Sequence, residues 1–284
     1  PPTDILKETV IFESLSADAD KMKFFMNYFI HRLWRKVFAE EKEISVIRED
    51  YDTVKNEPKR EFGNTVYSAF LSEYEGTKSL IIPRCGFGRE PYLMQRYTAY
   101  KIKSVKRFAN FSGTGSGKTF SGILASRLSD CKMTVIVCPN HVVGQWKKRI
   151  IAPEEGPIFE NSEAVTGKEA FSERRDERKY KYLVLNWDKF NQKSTVSDID
   201  KLSNQKIDMI ILDEIHMVKS TDSQRREGLE YLISNSKRDN EELRLLALSA
   251  TPIINNLEEG KSLLELITGV KYDDLKTGPK IMNA

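Results

Sequence analysis

Ser112-Gly113-Thr114-Gly115-Ser116-Gly117-Lys118-Thr119 is the stretch on which the reading of the whole chain turns. An apolar run, Phe108–Phe111, precedes it, and a helical pattern over Thr119–Arg127 follows. Strand, glycine-rich turn and helix in that order is the setting a phosphate-binding loop requires. Glycines at 113, 115 and 117 let backbone N–H groups converge on phosphate oxygens without interference from Cβ atoms. The Lys118 ammonium is expected beside the β and γ phosphates, and the Thr119 hydroxyl on Mg²⁺. The start of the helix turns its positive dipole end toward the same anion. Ser112 stands where the generic pattern has glycine, a small residue compatible with the turn. The implied ligands are ATP and Mg²⁺.

About 95 residues downstream, Ile210-Ile-Leu-Asp-Glu-Ile-His216 ends an apolar run with two adjacent carboxylates. Metal-assisted phosphate chemistry needs one carboxylate for Mg²⁺, partly through water, and a second to polarise the attacking water. Successive side chains at a strand end point in different directions, so neighbours can divide those roles. Asp213 is assigned to Mg²⁺ and Glu214 to the water. His216 reads either as a structural residue or as one that couples this site to another.

Around these two motifs, apolar runs alternate with helical patterns. Phe108–Phe111, Thr134–Cys138, Tyr182–Leu185, Met209–Leu212 and Leu243–Leu248 are β-branched, aromatic or leucine-rich, as strands buried on both faces must be. The pattern predicts an α/β fold over residues 85–284, a RecA-like parallel sheet with flanking helices, its ligands at the C-terminal ends of the strands. Residues 1–84 read as a smaller helix-rich accessory region. There Met22, Phe25, Met26, Phe29, Leu33 and Val37 recur at helical spacing over 18–39, and short helices are expected near 65–74.

Composition excludes several classes. With 39% hydrophobic and 31% charged residues the chain has material for a core. It has no apolar run of the roughly 20 residues that cross a bilayer. PPTDILKETV lacks the layout of a secretory signal. Three cysteines (Cys85, Cys131, Cys138) without metal-ligand spacing suit a reduced, intracellular chain, cytoplasmic, or nuclear in a eukaryote. The net charge of +3 does not argue for nucleic acid by itself. Gly167–Lys181, mixed in sign, is expected to be a solvated loop or helix, with contact to a phosphate backbone as the alternative.

Four further segments carry a family resemblance. Val137-Cys-Pro-Asn-His-Val-Val-Gly-Gln-Trp-Lys-Lys-Arg-Ile150 resembles the segment after the second strand of Snf-type DNA translocases in helicase superfamily two. Leu248-Ser-Ala-Thr-Pro-Ile-Ile-Asn-Asn-Leu-Glu-Glu259 is similar to the Ser-Ala-Thr motif of that superfamily, and its Asn-Asn-Leu-Glu continuation is Snf-like. Tyr182-Leu-Val-Leu-Asn-Trp-Asp188 resembles a less specific family strand, and Pro91-Tyr-Leu-Met-Gln95 lies where these motors place an adenine-reading glutamine. The phosphate loop itself looks more like that of restriction-enzyme motor subunits. The resemblance covers roughly residues 88–268.

It implies that Gln95 contacts adenine, for which an amide offers both donor and acceptor; a helix-surface position is the alternative. Pro139, Asn140 and His141 would lie near a nucleic-acid backbone. Lys147, Lys148 and Arg149 read equally as a solvated helix face. Ser249 and Thr251 would link hydrolysis to movement along the track, although by chemistry alone they serve equally to cap a turn. Double-stranded DNA is the favoured partner. An RNA helicase of the same superfamily and a nucleotide-dependent switch or scaffold are the alternatives. A second RecA-like lobe, and the arginine finger it supplies in this superfamily, are expected outside these residues, possible partner subunits stay open, and the chain alone is expected to bind nucleotide but turn it over weakly.

Overall fold

Met133, Val135 and Val137 point to one side of their strand, and Ile136 and Cys138 to the other; all five are buried. A strand apolar on both faces needs helices over both, and the computed structural model supplies them. It describes residues 73, 76–82, 90–152, 158–191, 195–251 and 257–272. The amphipathic stretch 18–39, the expected helices near 65–74 apart from residue 73, and Cys85 lie outside the described residues.

The chain falls into two compact units, one of Pro1–Leu80 with Pro91–Tyr97, the other of Ile81–Glu90 with Thr98–Ala284. Helix α1 (Leu93–Val105) runs from the first into the second. The second unit then continues as β1 (Arg107–Asn110), α2 (Lys118–Leu128), β2 (Met133–Cys138), α3 (Val143–Ile151), β3 (Ser162–Thr166) and β4 (Tyr180–Asn186). It closes with α4 (Thr195–Ser203), β5 (Met209–Asp213), α5 (Gln224–Asp239), β6 (Arg244–Leu248) and α6 (Leu257–Thr268). The six strands form one sheet in the order β1-β6-β5-β2-β4-β3, with every pairing parallel. This is the α/β sheet predicted from the alternation of apolar runs and helices, with β3 added.

One face of the sheet packs on Ile199 and Leu202 of α4, Leu229 and Leu232 of α5, and Leu263 and Leu266 of α6. The other packs on Ile102 of α1, Ile123 and Leu124 of α2, and Trp146 and Ile150 of α3. Each of these side chains removes apolar area from water on the order of 1.5–3 kcal/mol. The register puts Asn110 opposite Leu248, Leu248 opposite Asp213, and Cys138 opposite Asn186. The C-terminal ends of β1, β6, β5, β2 and β4 therefore share one edge, and the loops that leave them carry the candidate residues.

Two local readings need correction. Ser162–Thr166 was not among the predicted strands; it forms the sheet's outer strand, half-buried throughout, and so lacks the apolar run of the central strands. Gly167–Lys181 is not simply a solvated segment. Ala170 and Phe171 enter the core, Lys181 pairs with Glu173 at 2.6 Å, and Arg175 pairs with Asp208 at 2.6 Å. These two pairs lie by the starts of β4 and β5, at the opposite end of the sheet from the candidate loops.

Candidate functional site

The phosphate loop leaves β1 through Asn110, a buried residue whose amide organises the exit. Asn110 Nδ2 donates to Thr98 Oγ1 at 3.0 Å, and its Oδ1 accepts from the Ser112 backbone N–H at 3.0 Å. Gly115 and Gly117 have φ of +76° and +79°, values an L side chain resists, and Gly117 caps α2 in the left-handed conformation. Gly113 has no such φ, and a Cβ there would meet nothing within 4 Å. Among the described residues nothing crowds position 113, so the loop backbone there is open to a ligand. Ser112 and Ser116 join through their hydroxyls at 2.7 Å, so the serine in place of glycine closes the loop on itself. Thr114 is exposed at the tip, and Thr119 is the second residue of α2.

Lys118 donates from Nζ to the carbonyls of Ser112 and Gly113 at 2.9 and 2.8 Å. Burial lowers its pKa, while Glu214 and Asp213 pull it back up. The loop cation and the two carboxylates thus feel one another, although strand β6 lies between β1 and β5.

Asp213 ends β5. Burial pushes its carboxyl above the usual range, against a hydrogen bond from Trp146 that favours the ionised form. Trp146 Nε1 donates to Oδ2 at 2.7 Å, the Glu214 backbone N–H to Oδ1 at 3.1 Å, and Trp187 Nε1 to the Asp213 carbonyl at 2.9 Å. Each carboxylate oxygen keeps a lone pair for a cation. Among the described residues no group of three or more His, Cys, Asp or Glu forms a metal cage. One carboxylate, a hydroxyl, water and phosphate oxygens suit Mg²⁺, which keeps several waters and seldom sits in an all-protein cage.

Glu214 takes φ +53°, the left-handed region. A non-glycine residue there costs about 1–2 kcal/mol. The turn brings its carboxylate to the end of β6. Glu214 Oε2 accepts from Ser249 Oγ at 3.1 Å and lies 3.2 Å from His216 Nδ1. His216 Nδ1 is also 3.3 Å from Ser249 Oγ. A proton on Nδ1 serves both contacts. Ser249, fully buried at the end of β6, further accepts from the Thr251 backbone N–H at 3.1 Å, and its own N–H reaches the Asn110 carbonyl at 3.3 Å. Its hydroxyl thus holds the Thr251 N–H, and at the same time it joins the carboxylate end of β5 to the phosphate-loop end of β1.

A cavity of about 450 Å³ opens beside this cluster, lined by Pro139, Asn140 and His141 from the loop after β2, by Trp187, and by Glu214 and His216. Asp188 and Met217 complete the lining, and five of the eight residues are candidates named from sequence, drawn together from two segments. Lys147, Lys148 and Arg149 lie exposed on the outer side of α3. Gln95 belongs to the other unit, where its Oε1 accepts from the Tyr92 backbone N–H at 2.9 Å and so caps the start of α1.

The SNF2-related domain family matches residues 43–279, most of the chain. The chain belongs to that family. This SNF2-related domain is a lobe of helicase superfamily two. Among solved structures, the DUF1998 helicase MrfA bound to DNA and AMPPNP is similar at a TM-score of 0.46 and 16% identity, over 63% of this chain and 26% of that one. The UvsW helicase from bacteriophage T4 is similar at a TM-score of 0.43 and 16% identity, over 64% of this chain and 60% of the other. The SNF2-related domain spans less than two thirds of either relative's length. No curated protein sequence matches it.

Sequence reasoning missed three residues of this site: Asn110, Trp146 and Trp187. All three stood inside quoted segments, but each acts through a hydrogen bond that no spacing announces: Asn110 to Thr98, and Trp146 and Trp187 to Asp213. The buried thiols of Cys131 and Cys138 are pushed up to about 12, so neither is a nucleophile at neutral pH. No helix among the described residues is long and apolar enough to cross a membrane.

Proposed function

We propose that this SNF2-related domain is the ATP-hydrolysing lobe of a motor that moves along nucleic acid, with double-stranded DNA as its track. The observation that carries the reading is the Glu214–Ser249–His216 cluster, because it ties the carboxylate beside the phosphate loop to a cavity walled by the Pro139–His141 loop.

In this reading the backbone of residues 113–117 and the Lys118 ammonium bind the triphosphate, giving up the carbonyl contacts Lys118 now makes. Thr119 and Asp213 hold Mg²⁺, which when bound neutralises phosphate charge and orients the γ-phosphoryl group. Glu214 takes the proton of the attacking water. Its hydrogen bonds to Ser249 and His216 hold the carboxylate in place and sense the neighbouring cavity. Pro139, Asn140 and His141 meet a phosphate backbone there, through neutral donors that read no sequence. Gln95 contacts adenine after releasing the Tyr92 N–H. Residues 85–284 form the motor lobe, residues 1–84 an accessory region, and a second lobe supplies the arginine finger.

The deciding measurement is ATP turnover by the longest natural chain that carries this domain, with duplex DNA, single-stranded DNA, RNA or no polymer. Duplex DNA is expected to stimulate turnover, and Lys118→Ala to abolish the stimulated rate. Stimulation by RNA alone would transfer the domain to the RNA helicases. No stimulation by any polymer would leave a nucleotide switch as the better account.

Ser249→Ala tests the coupling. A lost hydrogen bond to a charged group is worth about 1.5–3 kcal/mol, so polymer-stimulated turnover should fall roughly 10–100-fold. Nucleotide affinity should hold, since the hydrogen bond that Ser249 makes toward the phosphate loop runs from its backbone N–H to the Asn110 carbonyl and survives the substitution. An equal loss of affinity would assign Ser249 to binding rather than coupling.

A further inference from the structure

We propose that Trp146 is a positioning residue, whose indole N–H fixes the Asp213 carboxylate in the orientation that receives Mg²⁺ and thereby ties α3, with Lys147, Lys148 and Arg149 on its outer side, to the nucleotide site. The inference rests on the assignment of Asp213 to Mg²⁺ made above.

Three observations carry it. The bond is direct and short, 2.7 Å from Nε1 to Oδ2, and spans 67 positions of sequence. The indole cannot swing away. It is 1% exposed, and a Cβ built on Gly122 of α2 would come within 3.1 Å of its Cη2 and 3.2 Å of Ile211 Cδ1. Glycine at 122 lets the ring pack this closely against the phosphate-loop helix, where any side chain would press on the indole and on Ile211 of β5. Finally, Asp213 is held twice over, since Trp187 takes its carbonyl at 2.9 Å from the loop after β4. With the backbone pinned by one indole and Oδ2 by the other, rotation about the Asp213 side-chain bonds is restricted.

A buried indole needs an acceptor in any case, and a carbonyl would serve. What distinguishes a positioning role is that the acceptor is the one carboxylate at the end of β5, and that the donor sits on a helix whose other side is cationic. Outer-shell partners of metal ligands commonly set metal affinity by about 10–100-fold.

The test uses this chain, a fluorescent ATP analogue, and its affinity measured in EDTA and across a Mg²⁺ titration. Trp146→Phe keeps an aromatic ring and removes the donor; benzothienylalanine at 146 keeps the bicyclic shape and removes only the N–H. Both are expected to leave affinity in EDTA within about twofold of the wild type and to raise half-saturating Mg²⁺ about 10–100-fold. If Trp146→Phe does not fold, the benzothienylalanine chain decides alone. An unchanged Mg²⁺ titration overturns the positioning role, as does a loss of affinity that is equal with and without Mg²⁺. Lys118→Ala separates the underlying reading: if it fails to weaken nucleotide binding in either condition, the nucleotide site itself is misassigned, whatever Trp146 does.

Discussion

Glu214→Gln is expected to lower the catalytic rate by about 10²–10⁴-fold while leaving nucleotide affinity within about twofold of the wild type. The substitution is close to isosteric. Glutamine retains an oxygen to accept from Ser249 Oγ at 3.1 Å, so the cluster that holds the side chain survives. What it loses is the capacity to take a proton. The left-handed backbone at 214 is as tolerable for glutamine as for glutamate, so folding should be unaffected. Single-turnover hydrolysis by the longest natural chain, alongside equilibrium binding, reads both quantities. A rate within tenfold of the wild type would remove Glu214 from proton transfer and leave it as a link between β5 and β6.

The second large effect concerns stability. Arg226 of α5 is buried, with a side chain 3% exposed, and nothing in the sequence motifs marks it. Its guanidinium donates to the Val218 carbonyl at 3.1 Å, to the Ser262 carbonyl at 3.1 Å and hydroxyl at 3.3 Å, and to Glu230 at 2.6 Å. Val218 ends the short 3₁₀ turn that follows Glu214, and Ser262 lies on α6, beyond the Ser249–Thr251 segment. One side chain therefore fastens the segments downstream of both motifs. Arg226→Ala would take this donor from the buried Val218 carbonyl, at about 1–3 kcal/mol, whereas the Ser262 carbonyl lies inside α6, where the helix supplies its own donor. With the packing of the buried stem also lost, a total of roughly 2–4 kcal/mol is expected, a fall in thermal midpoint of about 5–15 °C. Arg226→Lys keeps the charge but not the fork and should fall in between. A midpoint for Arg226→Ala within about 2 °C of the wild type would show that solvent replaces the lost contacts.

Four of the five strands recognised from sequence lie inside the sheet and are mostly buried on both faces, an environment that favours apolar side chains; β1, at an edge and half-buried over Arg107–Ala109, is the exception. Met133–Cys138 and Met209–Asp213 are almost uniformly buried and were visible for that reason. Ser162–Thr166 has one strand neighbour and escapes the constraint, and with it the signal. The phosphate loop is legible because backbone geometry at 115 and 117 restricts the residue type. Asp213 and Glu214 are legible because two acids at an apolar strand end need a reason. The hydrogen bonds of Trp146, Trp187, Asn110 and Arg226 are not, since an indole or guanidinium in sequence says nothing of which remote acceptor it will find. Gly167–Lys181 misleads for a related cause. Charge in a sequence looks the same whether water or a buried partner satisfies it, and Lys181 and Arg175 have partners.

The parallel order of the sheet also has a consequence for the chain's birth. Arg107 of β1 pairs with Leu245 of β6, and among the described residues β1 has no other strand neighbour. On a ribosome adding about 5–20 residues per second, β1 waits roughly 10–30 s before its partner is made. During that interval the segment before the phosphate loop has no sheet to join, and the loop no fixed strand to leave. A nascent chain therefore acquires its nucleotide site late, after β6 has cleared the exit tunnel, and until then its exposed apolar runs are potential clients for chaperones.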